Sequence, residues 1–82
     1  MASNVRTESA RYHVSRALAG DAESFAELVR RYQGGVHGLA YHLTGNFTDA
    51  QDIVQEVFAT AYTRLDQLRR PERFGSWLRT IT

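Results

Sequence analysis

Between Phe25 and Leu43 the apolar residues Phe25, Leu28, Val29, Tyr32, Val36, Leu39, Ala40 and Leu43 fall on one helical stripe, spaced by threes and fours. That period fits the 3.6-residue turn of an α-helix and no pleated strand, so the stretch reads as one long helix whose stripe must be covered by another apolar surface. A second stripe of the same period, Ala50, Ile53, Val54, Val57, Ala61, Leu65 and Leu68, can supply that cover. No strand-like alternation of useful length occurs. The chain therefore reads as all-α, a small bundle of three main helices with a short N-terminal helix and a last helix cut short at Thr82.

Local signals set the expected boundaries. Residues 1–9 lack apolar periodicity and read as a mobile tail, and the helical domain occupies 10–82, incomplete at its C-terminal end. A short first helix spans Ala10 to Ala19 and stops at Gly20, a residue suited to a left-handed cap. Asp21 can accept from free amides, and Ser24 with Glu27 has capping-box spacing, so the long helix begins between 21 and 25. Gly34, Gly35 and Gly38 sit inside it, where each costs about 1 kcal/mol against Ala, which points to close packing by a neighbour. Gly45 and Asn46 end it. Thr48 with Gln51 repeats the capping-box spacing, and the third helix runs over roughly 49–67. Pro71 and Gly75 make Leu68 to Gly75 a loop, after which Ser76 caps a last helix that starts at Trp77.

Composition narrows the function classes. The chain has 82 residues and no cysteine, which leaves room for one core and removes disulfides, thiolate nucleophiles and cysteine zinc sites. With 43% hydrophobic and 23% charged residues it is neither a disordered tail nor a membrane protein. The first twenty residues carry Arg6, Glu8, Arg11 and Arg16 and no continuous apolar run, so no secretory signal is read and the expected place is the cytoplasm. His37 and His42 are five apart and do not share a helix face, the glycines follow no strand, and Asp49, Asp52 and Glu56 have no pocket to desolvate them. Nothing here assembles an active site, so no metal, cofactor or small-molecule substrate is expected.

Charge is distributed unevenly. Asp49, Asp52, Glu56 and Asp66 against Arg64 make residues 45–68 acidic, and Arg69, Arg70, Arg73 and Arg79 against Glu72 make residues 69–82 basic. Two partner surfaces on one small body are implied. Offsets of three and four stack Asp52, Gln55 and Glu56 on one helix face, either as acceptors for a basic partner or as a solvated bundle face. At the basic end Arg69, Arg70, Arg73 and Arg79 interleave with Phe74 and Trp77. Cations for phosphates and flat rings for unstacked bases are what single-stranded nucleic acid requires, but the two aromatics serve equally well as core residues closing the bundle. All ten basic residues are Arg, a usage that a GC-rich genome would explain.

Three segments, Gly20 to Tyr32 (GDAESFAELVRRY), Asp49 to Tyr62 (DAQDIVQEVFATAY) and Phe74 to Leu78 (FGSWL), resemble in order and spacing the second conserved region of extracytoplasmic-function (ECF) sigma factors of bacterial RNA polymerase. The resemblance spans about residues 11–82, and its specific part is the D-x-x-D-[IVL]-V-Q-E-x-F pattern. It implies that Asp52, Gln55 and Glu56, with Asp49 at the head of the motif and Phe58 and Tyr62 flanking, grip the coiled coil of the polymerase β′ subunit. It also implies that Arg69, Arg70, Arg73, Phe74, Trp77 and Arg79 engage the single-stranded minus-ten promoter element, melting it by binding energy alone. An anti-sigma factor is an implied protein partner. Members of the family continue the last helix and add a second DNA-binding domain, so the 82 residues read as a piece of a longer protein with weak DNA affinity of its own. The competing class is a helical adaptor whose only partner is a protein.

Overall fold

The computed structural model describes residues 9–82. Four α-helices appear in the expected order: α1 (Ala10–Leu18), α2 (Ala22–Thr44), α3 (Phe47–Thr63) and α4 (Phe74–Ile81), with single 3₁₀ turns at Leu65–Gln67 and Pro71–Arg73. The described residues contain no strand, and the all-α reading holds. The predicted tail lies outside the described residues except for Ser9, whose hydroxyl accepts from the Tyr12 amide and caps α1.

Two residues separate α2 from α3, so the helices pack side by side as an antiparallel hairpin and cover each other's stripes. Val14 of α1, Leu28 and Val36 of α2, Val57, Phe58 and Ala61 of α3, Leu65, and Phe74 and Leu78 of α4 form the core. Burying a Val, Leu or Phe side chain contributes on the order of 1.5–3 kcal/mol, which a domain this small needs from nearly every such residue. The far end of the α2 stripe finds no cover: Leu43 is 64% exposed.

The caps differ from the expected ones. The Asp21 carboxylate accepts from the amides of Glu23 and Ser24 at 3.1 and 3.4 Å and from the Ser24 hydroxyl at 3.1 Å, so Asp21 starts α2 alone. Glu27 is drawn instead to Arg30 and Arg31. At α3 the cap is Asn46, whose side-chain oxygen accepts from the Asp49 amide at 2.9 Å, rather than Thr48. Gly45, at φ +67°, takes the left-handed turn that joins the two helices, and its amide donates to the Tyr41 carbonyl.

Helix α3 ends at Thr63, four residues early. In a 3₁₀ turn positions i and i+3 eclipse, and the turn at Leu65–Gln67 thereby brings Leu65 and Leu68 to the core side together. Pro71 opens a second 3₁₀ turn that runs directly into α4, which begins at Phe74 rather than Trp77, and Ser76 makes no capping bond. The glycine expectation is also corrected. A Cβ on Gly34, Gly35 or Gly38 would meet nothing within 4 Å, whereas one on Gly75 would stand 3.0 Å from Tyr32 Cε1. The close approach is therefore at the start of α4.

Candidate nucleic-acid and protein interfaces

Acidic groups divide sharply between the helices. On the α1–α2 side Asp21 pairs with Arg16, Glu23 and Glu27 pair with Arg30, and Glu27 also pairs with Arg31. These hydrogen-bonded guanidinium groups, Arg16 first for Asp21 and Arg31 first for Glu27, hold both carboxyls below their ordinary range, while Glu23 and Glu27 raise Arg30 above its own. On α3 no described ion pair engages Asp49, Asp52 or Glu56, and all three are exposed. Helical geometry places them on one outward arc, Asp52 and Glu56 one turn apart and Asp49 three before Asp52. Their charge is left available to something outside the chain.

The neighbours of that arc diverge. Gln55 turns toward α2 and lines a groove between the two helices. Glu56 turns toward α4, beside Ile53, Thr60 and Ile81. Tyr62 is 60% exposed and rests its edge on Phe25. Phe58 is corrected: it is 6% exposed and belongs to the core, so it can support the face from behind but presents no surface to a partner.

At the basic end the structure gathers some of the expected residues and separates others. Arg69, Arg70 and Arg73, all exposed, line a shallow groove of ≈ 500 Å³ with Leu68, Trp77 and Thr80. Trp77 is half-buried, tilted against Phe74 with ring centroids 6.0 Å apart, and its remaining surface borders the groove. Phe74 is corrected, with 0% exposure: it closes the bundle and offers no face to a base. Arg79 lies on another side of α4, in a groove with Tyr32, Gly35 and Leu39. None of the four arginines enters a described ion pair.

Three features escaped sequence reading. Leu68 and Thr80 join the basic groove, which requires the 3₁₀ turns to fold back onto α4. His13 is 2% exposed, with Nε2 3.3 Å from the Arg31 guanidinium, and so ties α1 to α2. Helix α1 also packs on the Pro71–Arg73 turn, linking the N-terminal helix to the basic loop. No signal in the sequence marks these contacts, because each joins segments far apart in the chain.

Comparison with known proteins gives the family of the chain. A family model, sigma-70 region 2, matches residues 28–82. The chain is 34% identical over 68 residues to the ECF RNA polymerase sigma factor SigW of Bacillus subtilis, covering 83% of this chain and 36% of that protein. It is 44% identical over 59 residues to the ECF RNA polymerase sigma factor SigE of Mycolicibacterium smegmatis, covering 72% and 23%. It is 40% identical over 68 residues to the ECF RNA polymerase sigma-E factor of Escherichia coli, covering 83% and 35%. The chain thus spans about a third or less of the length of these relatives.

Proposed function

The chain belongs to the sigma-70 region 2 family and is region 2 of an ECF RNA polymerase sigma factor, and from that premise we propose that it docks on core polymerase through α3 and engages melted promoter DNA through the groove before α4. The family is one of transcription initiation factors, so binding rather than bond chemistry is the work to be explained.

The observation that carries the reading is the division of ion pairs. Every described salt bridge lies among α1, the turn after it and α2, while Asp49, Asp52 and Glu56 on α3 remain unpaired beside Gln55. A face that keeps its charge uncompensated attracts a basic partner and speeds encounter, and the coiled coil of the β′ subunit is the proposed one. The groove bordered by Arg69, Arg70, Arg73 and Trp77 supplies the second half. Guanidinium groups take the phosphates, the exposed part of the Trp77 ring takes an unstacked base, and the energy of both offsets the few kcal/mol of opening each base step. The non-template strand of the minus-ten element is the proposed ligand. An anti-sigma factor covering the same surfaces completes the set of proposed partners.

A pull-down with the isolated β′ coiled coil tests the docking half. Wild type is expected to bind, and Glu56→Arg to lose binding with its helical circular dichroism unchanged. Equal binding of the two proteins would remove the acidic face from the interface, and failure of the wild type to bind would bring forward the adaptor reading.

A further inference from the structure

A groove of ≈ 460 Å³ separates α2 from α3, lined by Gln33 and His37 on one side and Phe47, Gln51, Val54 and Gln55 on the other. Within it the Nε2 atom of His37 is shut off from solvent and has no hydrogen-bond partner among the described residues. Buried polar atoms in folded proteins nearly always have one, so an exception beside an open groove points to a place where something else can bind. The Phe47 ring leans on the imidazole with centroids 4.6 Å apart and is itself 60% exposed. Turning that ring aside is the movement that would open Nε2 to the groove.

We infer that this groove receives an arginine side chain from a protein partner. The lining offers acceptors for a planar fork of N–H donors: the Nε2 lone pair of His37 in the tautomer that carries its proton on Nδ1, and the side-chain oxygens of Gln33, Gln51 and Gln55. Phe47 adds an exposed ring face for the guanidinium plane. Charge favours a cation, because unpaired Asp52 stands next to Gln51 and three residues before Gln55, and no charged side chain lines the groove. Arg30, one helical turn before Gly34 on α2, is already held by Glu23 and Glu27. The described residues already hold a contact of this kind, where the Arg31 guanidinium lies 3.3 Å from His13 Nε2. The assignment of the partner as the polymerase coiled coil rests on the proposed function; the chemistry of the groove does not.

The test is a nuclear magnetic resonance titration of the 82-residue chain with N-acetyl-arginine amide, and separately with its lysine and glutamate counterparts, following the His37 ring and the side-chain amides of Gln33, Gln51 and Gln55, with the His42 ring as a control. Saturable shifts at His37 and at the three glutamine amides with arginine alone are the expected result, the glutamine response weakened about tenfold in His37→Phe and nearly retained in His37→Gln. Silence at His37, an equal response to lysine, or a response to glutamate instead overturns the inference. The same variants are then assayed against the β′ coiled coil. If the coiled coil binds wild type while arginine leaves His37 silent, the groove assignment fails and the docking face stands. If arginine titrates His37 while the coiled coil does not bind, the groove stands and its partner is another basic protein.

Discussion

Phe74 meets the edge of Tyr32 with ring centroids 5.2 Å apart at 67°, and the two rings join the start of α4 to the middle of α2. Phe74 has no exposed surface, so its contribution is to stability. Phe74→Ala is expected to cost about 3–5 kcal/mol, most of what a domain of this size has. Thermal melts followed by circular dichroism measure it. A melting temperature left unchanged would return Phe74 to the DNA-contact role that the resemblance implied.

Arg70 borders the groove with Trp77 and has no ion pair to lose, so its removal acts on binding alone. Arg70→Ala is expected to weaken a single-stranded minus-ten oligonucleotide and to reduce the slope of log affinity against log salt by about 0.7, the value for one phosphate on a single strand. Trp77, the one tryptophan in the chain, reports binding through its fluorescence. An unchanged salt slope would take Arg70 out of the phosphate path.

The α3 cap offers a paired comparison. Asn46→Ala removes the acceptor for the Asp49 amide and is expected to cost about 1 kcal/mol in denaturant titration, whereas Thr48→Ala, at a helical position with no capping bond, is expected to be near neutral. The reverse order would restore Thr48 as the cap.

Acid should loosen the α1–α2 side first. Asp21 and Glu27 have folded-state pKa values below their usual 3.8 and 4.5, so the unfolded chain binds protons more readily than the folded one. Their stabilisation is complete above those usual values and is lost as pH falls through them toward the lower folded-state values. Melting temperature is therefore expected to drop below about pH 4.5, and to drop less steeply in Glu27→Gln. A profile identical in wild type and Glu27→Gln would show that other groups dominate acid unfolding. The Asp21 side chain is 31% and the Glu27 side chain 12% exposed, and both pair with arginines that reach solvent, which keeps the effect modest.

How much of this was legible in the sequence depends on the range of the interaction. The existence and type of every helix, the turn at Gly45 and Asn46, and the unequal charge of the two ends follow from neighbours three or four residues apart, and such neighbours are written in the chain. The choice between Asn46 and Thr48 as cap was less legible, because two residues separated only by Phe47 carry acceptors and only the entry angle of the chain selects one.

What the tertiary structure alone decided is which face each side chain shows. Phe58 and Phe74 read as possible contacts, since aromatics serve cores and interfaces alike, and only the rotation of α3 and the early start of α4 bury them. Arg79 parts from Arg69, Arg70 and Arg73 for the same reason. A helical period assigns a stripe, but its absolute orientation is set by the other stripes it packs against, and these come from segments such as α1 and the Pro71 turn that are some sixty residues apart in the chain.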